Sequence, residues 1–280
     1  MKAFNRDFPR LGAGLGYRRE ISKDILDAKD SIDFVEIITD QFINNPRHAE
    51  ELERVCQHFR VIPHGVGLSI GSAALQSRDY LLAIRQISDL TKSPYYSEHL
   101  CVTQAPGIDI GHLSPLWLTD QVLKRVIKNV SQVQDFLGKP LVLENITYLL
   151  HIPNETMPET EFFTRLTEAT GCGILLDLTN IYINSVNHRF DPAAYLEKMP
   201  LEKVVQVHLA GGYWSNGILI DGHSELVQEE SWKLLELLVK EITLGAVIIE
   251  HDHNFPEMSS MLQQIGRARD LIAGERQATA

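Results

Sequence analysis

Eight short apolar runs, spaced along 280 residues and each followed by a stretch of helical character, constrain this chain more than any other feature. They fall near Leu11, Ile32, Val61, Tyr96, Leu141, Ile174, Val204 and Val247. Alternating strands and helices build a parallel sheet, and eight such units predict a single α/β domain closed as a (βα)8 TIM barrel. A barrel of this kind needs about 250 residues, so the length suffices. The predicted barrel covers 1–273, leaving 274–280 as a frayed tail.

The runs are taken as strands over Leu11–Arg18, Ile32–Ile38, Phe59 to Gly65, Pro94 to Val102, Leu141 to Glu144, Ile174 to Asp177, Val204 to His208 and Gly245 to Asp252. The glycine-rich first run lacks the final spaced glycine of a dinucleotide fingerprint. Helices are expected over Ile21–Ala28, with Ser22 as a cap, and over Arg47–His58, Ser77–Leu90, Leu116–Leu137, Glu159–Thr170, Ser231–Glu241 and Glu257 to about Ile272. Asp191-Pro192 starts a further helix, with a capping carboxylate and proline in the first turn. The stripe Val122, Val126, Val130, Val133, Leu137, with Gly138 just beyond, is the strongest helical pattern.

Seven of the eight runs carry a carboxylate or an imidazole at or near the C-terminal end: Glu36, His64, His99, Glu144, Asp177, His208 and Glu250. A barrel gathers those ends around one mouth, where the chemistry of the fold sits. In the run VVQVHL, His208 shares a face with Gln206 and opposes the valines. Beyond it Asp221 and His223 supply an oxygen and a nitrogen two residues apart. Glu98 and His99 face opposite ways, so His99 is taken as the inward residue and Glu98 as the one that orients a neighbour. Several buried carboxylates side by side cost several kcal/mol per ion without counter-charge, and arginine and lysine are scarce at these ends. Metal ions supply that charge; oxygen and imidazole donors without thiolate favour iron, manganese or zinc. Nine ligand-type groups exceed the needs of one open ion, which predicts two or three metals bridged by carboxylates.

A formal net charge of -11 argues against a nucleic-acid partner. The N-terminus lacks a signal-peptide core and no run approaches 18 apolar residues, so a soluble cytoplasmic protein without membrane contact is expected. Three scattered cysteines, Cys56, Cys101 and Cys172, fit reduced thiols and neither a disulfide framework nor a zinc-thiolate site. Cys101 lies two residues after His99 and is the one thiol with a view of the site; packing is its expected role.

The segments PHGVGLSIGS (63–72), SEHL (97–100), LVLEN (141–145), GCGILLDLTNIYINSVNH (171–188), VHLAG (207–211), the D-x-H at Asp221 and His223, and IIEHD (248–252) together resemble the multinuclear non-haem iron-dependent oxidative enzymes of the methanobactin-biosynthesis oxidase type. The resemblance spans nearly the whole chain. It implies a xylose-isomerase-like barrel with two or three irons, Fe2+/Fe3+, held by His64, His99, Glu144, Asp177, Asn180, His208, Asp221, His223 and Glu250. Among these, His99, Glu144, Asp177 and His208 are carried over as catalytic. It further implies dioxygen as co-substrate, a cysteine-containing ribosomally made precursor peptide as substrate, and a separate partner protein that recognises the peptide. The chain departs from the pattern at Thr179, where asparagine is frequent, and at His251, where tryptophan is common.

Two other enzyme classes use such a barrel mouth: metal-dependent sugar isomerases or epimerases, and trinuclear phosphoesterases. A non-catalytic metal-binding adaptor that presents a peptide is the remaining alternative. The loop Gly212–Gly222, with Tyr213 and Trp214, is either a peptide-reading surface or core.

Overall fold

All eight apolar runs become parallel strands. The computed structural model describes residues 8–43, 45–73, 76–105 and 107–278. The chain opens with β1 (Gly12–Gly16), α1 (Ser22–Asp27), β2 (Val35–Ile38), α2 (Pro46–His58), β3 (Val61–Gly65), α3 (Arg78–Leu90) and β4 (Tyr96–His99). It continues through β5 (Val102–Ala105), β6 (Ile108–Ser114), α4 (Asp120–Leu137), β7 (Leu141–Glu144), α5 (Glu159–Thr170), β8 (Gly173–Asp177), α6 (Leu178–His188) and α7 (Pro192–Leu196). It ends with β9 (Val204–Leu209), β10 (Tyr213–Ser215), β11 (Ile218–Ile220), α8 (Glu229–Glu241), β12 (Ala246–Ile249) and α9 (Met258–Ala278). The strand order β1-β12-β9-β8-β7-β4-β3-β2 closes an eight-stranded parallel barrel, as the sequence pattern predicts. Two antiparallel hairpins, β5-β6 and β10-β11, are additions that the pattern did not show. Among the described residues, no helix is long and apolar enough to cross a membrane.

The residues fall into two compact units: one runs to Glu36 and resumes at Leu175, the other is Ile37–Ile174. In the first, β12 pairs with β1 and with β9, setting Gly12 against Ala246 and Ile248 against His208. Gly16 pairs with Glu36, which carries that carboxylate to the strand terminus. Leu15, Val207, Leu209, Val247 and Ile249 are buried. Each such side chain contributes about 1.5–3 kcal/mol of apolar burial.

In the second unit, β3 and β7 flank β4, with His64 opposite Ser97 and His99 opposite Glu144. Helix α4 begins at Asp120 rather than near Leu116, because the Thr119 hydroxyl accepts the Val122 N–H and caps the first turn. Its buried face runs through Leu123, Val126, Val130, Val133 and Leu137, with Val122 half-buried at the edge. Gly138 closes the helix in the left-handed region at φ 66°.

Other boundaries also move. Ser22 is the first residue of α1 and not its cap; the position before it is Ile21, whose side chain has nothing to offer the free N–H groups. Helix α9 continues past Ile272 to Ala278 because Ala273, Glu275, Arg276, Gln277 and Ala278 are good helix formers. The last two residues of the expected tail, 279–280, lie outside the described residues.

Candidate metal centre

Strand ends place the imidazoles and carboxylates. In the unit Ile37–Ile174, His64 is the penultimate residue of β3 and His99 ends β4, beside Glu144 at the end of β7. The Nε2 atoms of His64 and His99 lie 3.2 and 3.4 Å from the same oxygen, Glu144 Oε2. Their other ring nitrogens are occupied: His64 Nδ1 is 3.0 Å from Ser97 Oγ, and His99 Nδ1 is 3.0 Å from the Gly65 carbonyl oxygen. A carbonyl only accepts, so Nδ1 of His99 carries a proton and Nε2 is the nitrogen turned towards Glu144. Glu98 is fully buried and accepts the N–H groups of Leu68 (3.0 Å) and His99 (2.8 Å), which fixes the backbone on either side of the imidazole. That is the orienting role expected of it. Burial pushes the His99 imidazole down, but Glu144, Glu98 and the Gly65 carbonyl outweigh it and raise its pKa to about 9.

The second cluster belongs to the other unit. His208 ends up among carboxylates: Nε2 is 2.9 Å from Glu36 Oε1, and Nδ1 is 3.3 Å from Glu250 Oε2. Gln206, two residues back on β9, shares its face as the alternation predicts, and its Nε2 lies 2.9 Å from His208 Nε2. Beyond the β10-β11 hairpin, His223 Nε2 is 2.8 Å from Asp221 Oδ1, while its Nδ1 is 3.0 Å from Asp252 Oδ2 and 3.6 Å from Glu250 Oε2. Asp177 is fully buried at the end of β8, where it caps α6 by accepting the Asn180 N–H at 2.6 Å. Asn180 is thereby held, buried, in the first turn of that helix.

Three sets of side chains within single units each bring one ligand atom apiece to within 4.8 Å of one another: His64, His99 and Glu144; Glu36, His208 and Glu250; and Asp177, His223 and Glu250. The last two share Glu250, which puts one carboxylate between two adjacent sets. Asp221 stands beside His223 but outside all three. Glu36 belongs to a set although the family resemblance did not include it; its place at a strand end was the available signal.

The donors fit a divalent metal of the iron, manganese or zinc kind, being imidazole nitrogens and carboxylate oxygens with no thiolate. Glu36 Oε1 is buried and takes no hydrogen bond. Once His208 Nε2 is deprotonated, with the Gln206 amide beside it, the nitrogen faces Glu36 Oε1 with a lone pair, an arrangement that a cation relieves and that a proton on His208 relieves in the metal-free protein. Burial also pushes Glu250 up, yet the positive charge of His208, His223 and Arg18 holds it well below the usual carboxylate range. His223 is lowered by burial and raised well above an ordinary imidazole by Asp221, Asp252 and Glu250. Protons thus supply the counter-charge that a metal would replace.

One cation at a strand end was missed. Arg18, just after β1, is buried and its Nε donates to Asp252 Oδ1 at 2.6 Å, with Glu250 Oε1 3.4 Å from its terminal nitrogen. An arginine next to an exposed neighbour, Arg19, reads as solvated in sequence, and only the fold turns it inward. His251 departs from the family pattern without joining the cluster: its Nε2 is 3.0 Å from Gln264 Nε2, and burial together with the His223 charge lowers its pKa to about 4.

A closed parallel barrel whose strand ends carry buried imidazole and carboxylate triads defines the class of this protein as a metal-capable (βα)8 barrel. The chain belongs to the RiPP precursor modification enzyme family MbnB/TglH/ChrH, whose model matches residues 12–273. It is 36% identical over 261 residues to a UPF0276 protein of Rhizorhabdus wittichii, covering 92% of this chain and 94% of that protein. A UPF0276 protein of Caulobacter vibrioides is 34% identical over 273 residues, covering 97% and 98%. Among solved structures, a D-tagatose 3-epimerase-like protein superposes with a TM-score of 0.60 at 15% identity, covering 96% of this chain and 100% of that one. A xylose isomerase domain protein of Planctomyces limnophilus gives 0.57 at 13% identity, covering 95% and 99%. These structural matches establish the xylose-isomerase-like barrel and, at such identities, the fold alone.

Proposed function

We propose that this protein is a multinuclear iron enzyme that uses dioxygen to modify cysteine residues of a ribosomally synthesised precursor peptide. The observation that supports the reading is that Glu250 belongs to two adjacent donor sets and would serve both, with His64, His99 and Glu144 as a further set. His64, His99, Glu144, Asp177, Asn180, His208, Asp221, His223 and Glu250 are the ligands of this reading, and Glu36 joins them. When bound, iron supplies electrons to dioxygen and an open Lewis-acidic position for a substrate thiolate.

The chain's own residues prepare that position. Gly65 O and Ser97 Oγ engage the Nδ1 atoms of His99 and His64, leaving both Nε2 atoms for the metal. Gln206 holds His208 and Glu36 in register, since its amide contacts both. Burial of Glu36, Glu144, Asp177 and His208 keeps bulk water from these charges and strengthens their hold on a cation.

The peptide is read by the β10-β11 hairpin. Tyr213 and Trp214 are 43% and 62% exposed, so they are surface groups and not core. Tyr213 also lines a cavity of about 500 Å³ with Asp221, Gly222, Ser224, Glu225, His253 and Asn254. In this reading a separate partner protein completes peptide recognition.

The test is metal content. Protein purified without oxygen is expected to carry more than one iron per chain, measured by elemental analysis. A preparation fully active with a single zinc would contradict the multinuclear reading.

A further inference from the structure

We propose that Arg18 and Asp252 are positioning residues that hold the ligands His223 and Glu250 in binding geometry. This rests on the metal reading of those two ligands. His223 sits at φ 49°, in the left-handed region that residues other than glycine rarely occupy. Such a conformation persists where the surroundings over-determine it. Asp252 does so twice: its backbone N–H donates to the His223 carbonyl oxygen at 2.8 Å, and its Oδ2 faces His223 Nδ1 at 3.0 Å. The second contact turns Nε2 away from Asp252 and towards Asp221.

Arg18 fixes Asp252 in turn. Its Nε takes the other carboxylate oxygen, Oδ1, at 2.6 Å, while a terminal nitrogen reaches Glu250 Oε1 at 3.4 Å. A third contact, from a terminal nitrogen to the Tyr17 carbonyl oxygen at 3.0 Å, anchors the guanidinium to the backbone after β1. Arginine spans two carboxylates and a carbonyl at once because its donors form a rigid fork; a lysine ammonium cannot. Gly16 makes the space: a Cβ there would stand 3.0 Å from the guanidinium. With Oε1 of Glu250 engaged by Arg18, Oε2 is the oxygen left facing His208 and His223. Arg18 and Asp252 therefore set which atoms of two ligands point at the metal without touching it themselves.

The experiment titrates metal-free protein anaerobically with Fe(II) against a competing chelator, and with Co(II) to read the ligand field from its visible spectrum. Wild type, Arg18→Gln, Arg18→Lys and Asp252→Asn are compared with His223→Ala and Glu250→Ala, and circular dichroism monitors folding of each. Loss of an outer partner costs roughly ten- to hundredfold in metal affinity. Arg18→Gln and Asp252→Asn are expected to weaken the same ion that His223→Ala loses by that factor and to alter the Co(II) spectrum, with helical content retained. Arg18→Lys, which keeps the charge and loses the fork, is expected to resemble Arg18→Gln; if Arg18→Gln does not fold, Arg18→Lys and Asp252→Asn decide. Wild-type affinity and spectrum in the folded positioning variants, with His223→Ala and Glu250→Ala impaired, would overturn the positioning role and leave the metal reading standing. Wild-type binding in His223→Ala and Glu250→Ala would overturn both.

Discussion

His64 and His99, on neighbouring strands, stand with ring centroids 4.6 Å apart, and both bring Nε2 to a single oxygen of Glu144. In the metal-free protein a proton on His99 draws it to Glu144, and a metal ion would take that proton's place. Glu144→Gln keeps the shape and removes the charge. Anaerobically purified Glu144→Gln is expected to lose at least one iron per chain relative to wild type by elemental analysis, an effect exceeding the roughly ten- to hundredfold weakening typical of outer partners. Unchanged stoichiometry would show that this set does not hold metal.

The turn after β3 depends on a missing side chain. A Cβ at Gly65 would overlap the buried Tyr96 hydroxyl and the Glu98 carboxylate. Gly65→Ala is expected to destabilise the metal-free protein by about 1–3 kcal/mol, the usual cost of overpacking, as a lower midpoint in denaturant. Wild-type stability would mean that these neighbours yield freely.

The barrel was legible because its strands announce themselves: Leu141–Val142–Leu143–Glu144 and Ile174–Leu175–Leu176–Asp177 are uninterrupted apolar runs that end on an acid. The β10-β11 hairpin was missed although Asn216-Gly217 is a strong turn signal, because its strands, Tyr213–Ser215 and Ile218–Ile220, are only three residues long. Helix α6 hides for another reason. Ile181, Ile183, Val186 and Asn184 have weak helix propensity, and the helix forms because Asp177 caps it and its inner face is buried. At the site, strand alternation identified His208 with Gln206 and separated His99 from Glu98. Arg18 and Asp252 escaped because their partners are more than two hundred residues apart in one case, 18 to 252, and a charge at a loop gives no periodic signal.

The thiols make a test that involves no metal. Cys101 is fully buried, and burial with the nearby Glu98 and Glu144 charges raises its pKa well above the ordinary value. Cys56 is half-buried, and burial with Glu53 raises it to about 11. Reactive thiolate appears only as pH rises towards that value, so at pH 8 Cys56 holds on the order of a hundredfold less thiolate than an ordinary cysteine. Alkylation of the native protein is expected to be slow at pH 8 and to speed up about tenfold per pH unit, followed by mass spectrometry. Rapid labelling at pH 8 would contradict this. Cys101→Ala is expected to retain iron and turnover, in keeping with a packing role.

The hairpin reading separates peptide binding from metal binding. Trp214→Ala removes an exposed aromatic and touches no ligand, so iron content is expected to be unchanged while KM for the peptide rises by roughly tenfold, a typical aromatic contact. An unchanged KM would place peptide recognition elsewhere.

The central claim is that cysteine sulfur of a precursor peptide is what the metal centre acts upon with dioxygen. The direct measurement gives the iron-loaded enzyme, with its partner protein and dioxygen, a cysteine-containing precursor peptide and the matched Cys→Ser peptide, and follows peptide mass and oxygen uptake together. The account predicts a mass change and oxygen consumption with the cysteine peptide and neither with the serine peptide. Equal modification of both peptides, or modification of the cysteine peptide without oxygen uptake, would contradict it.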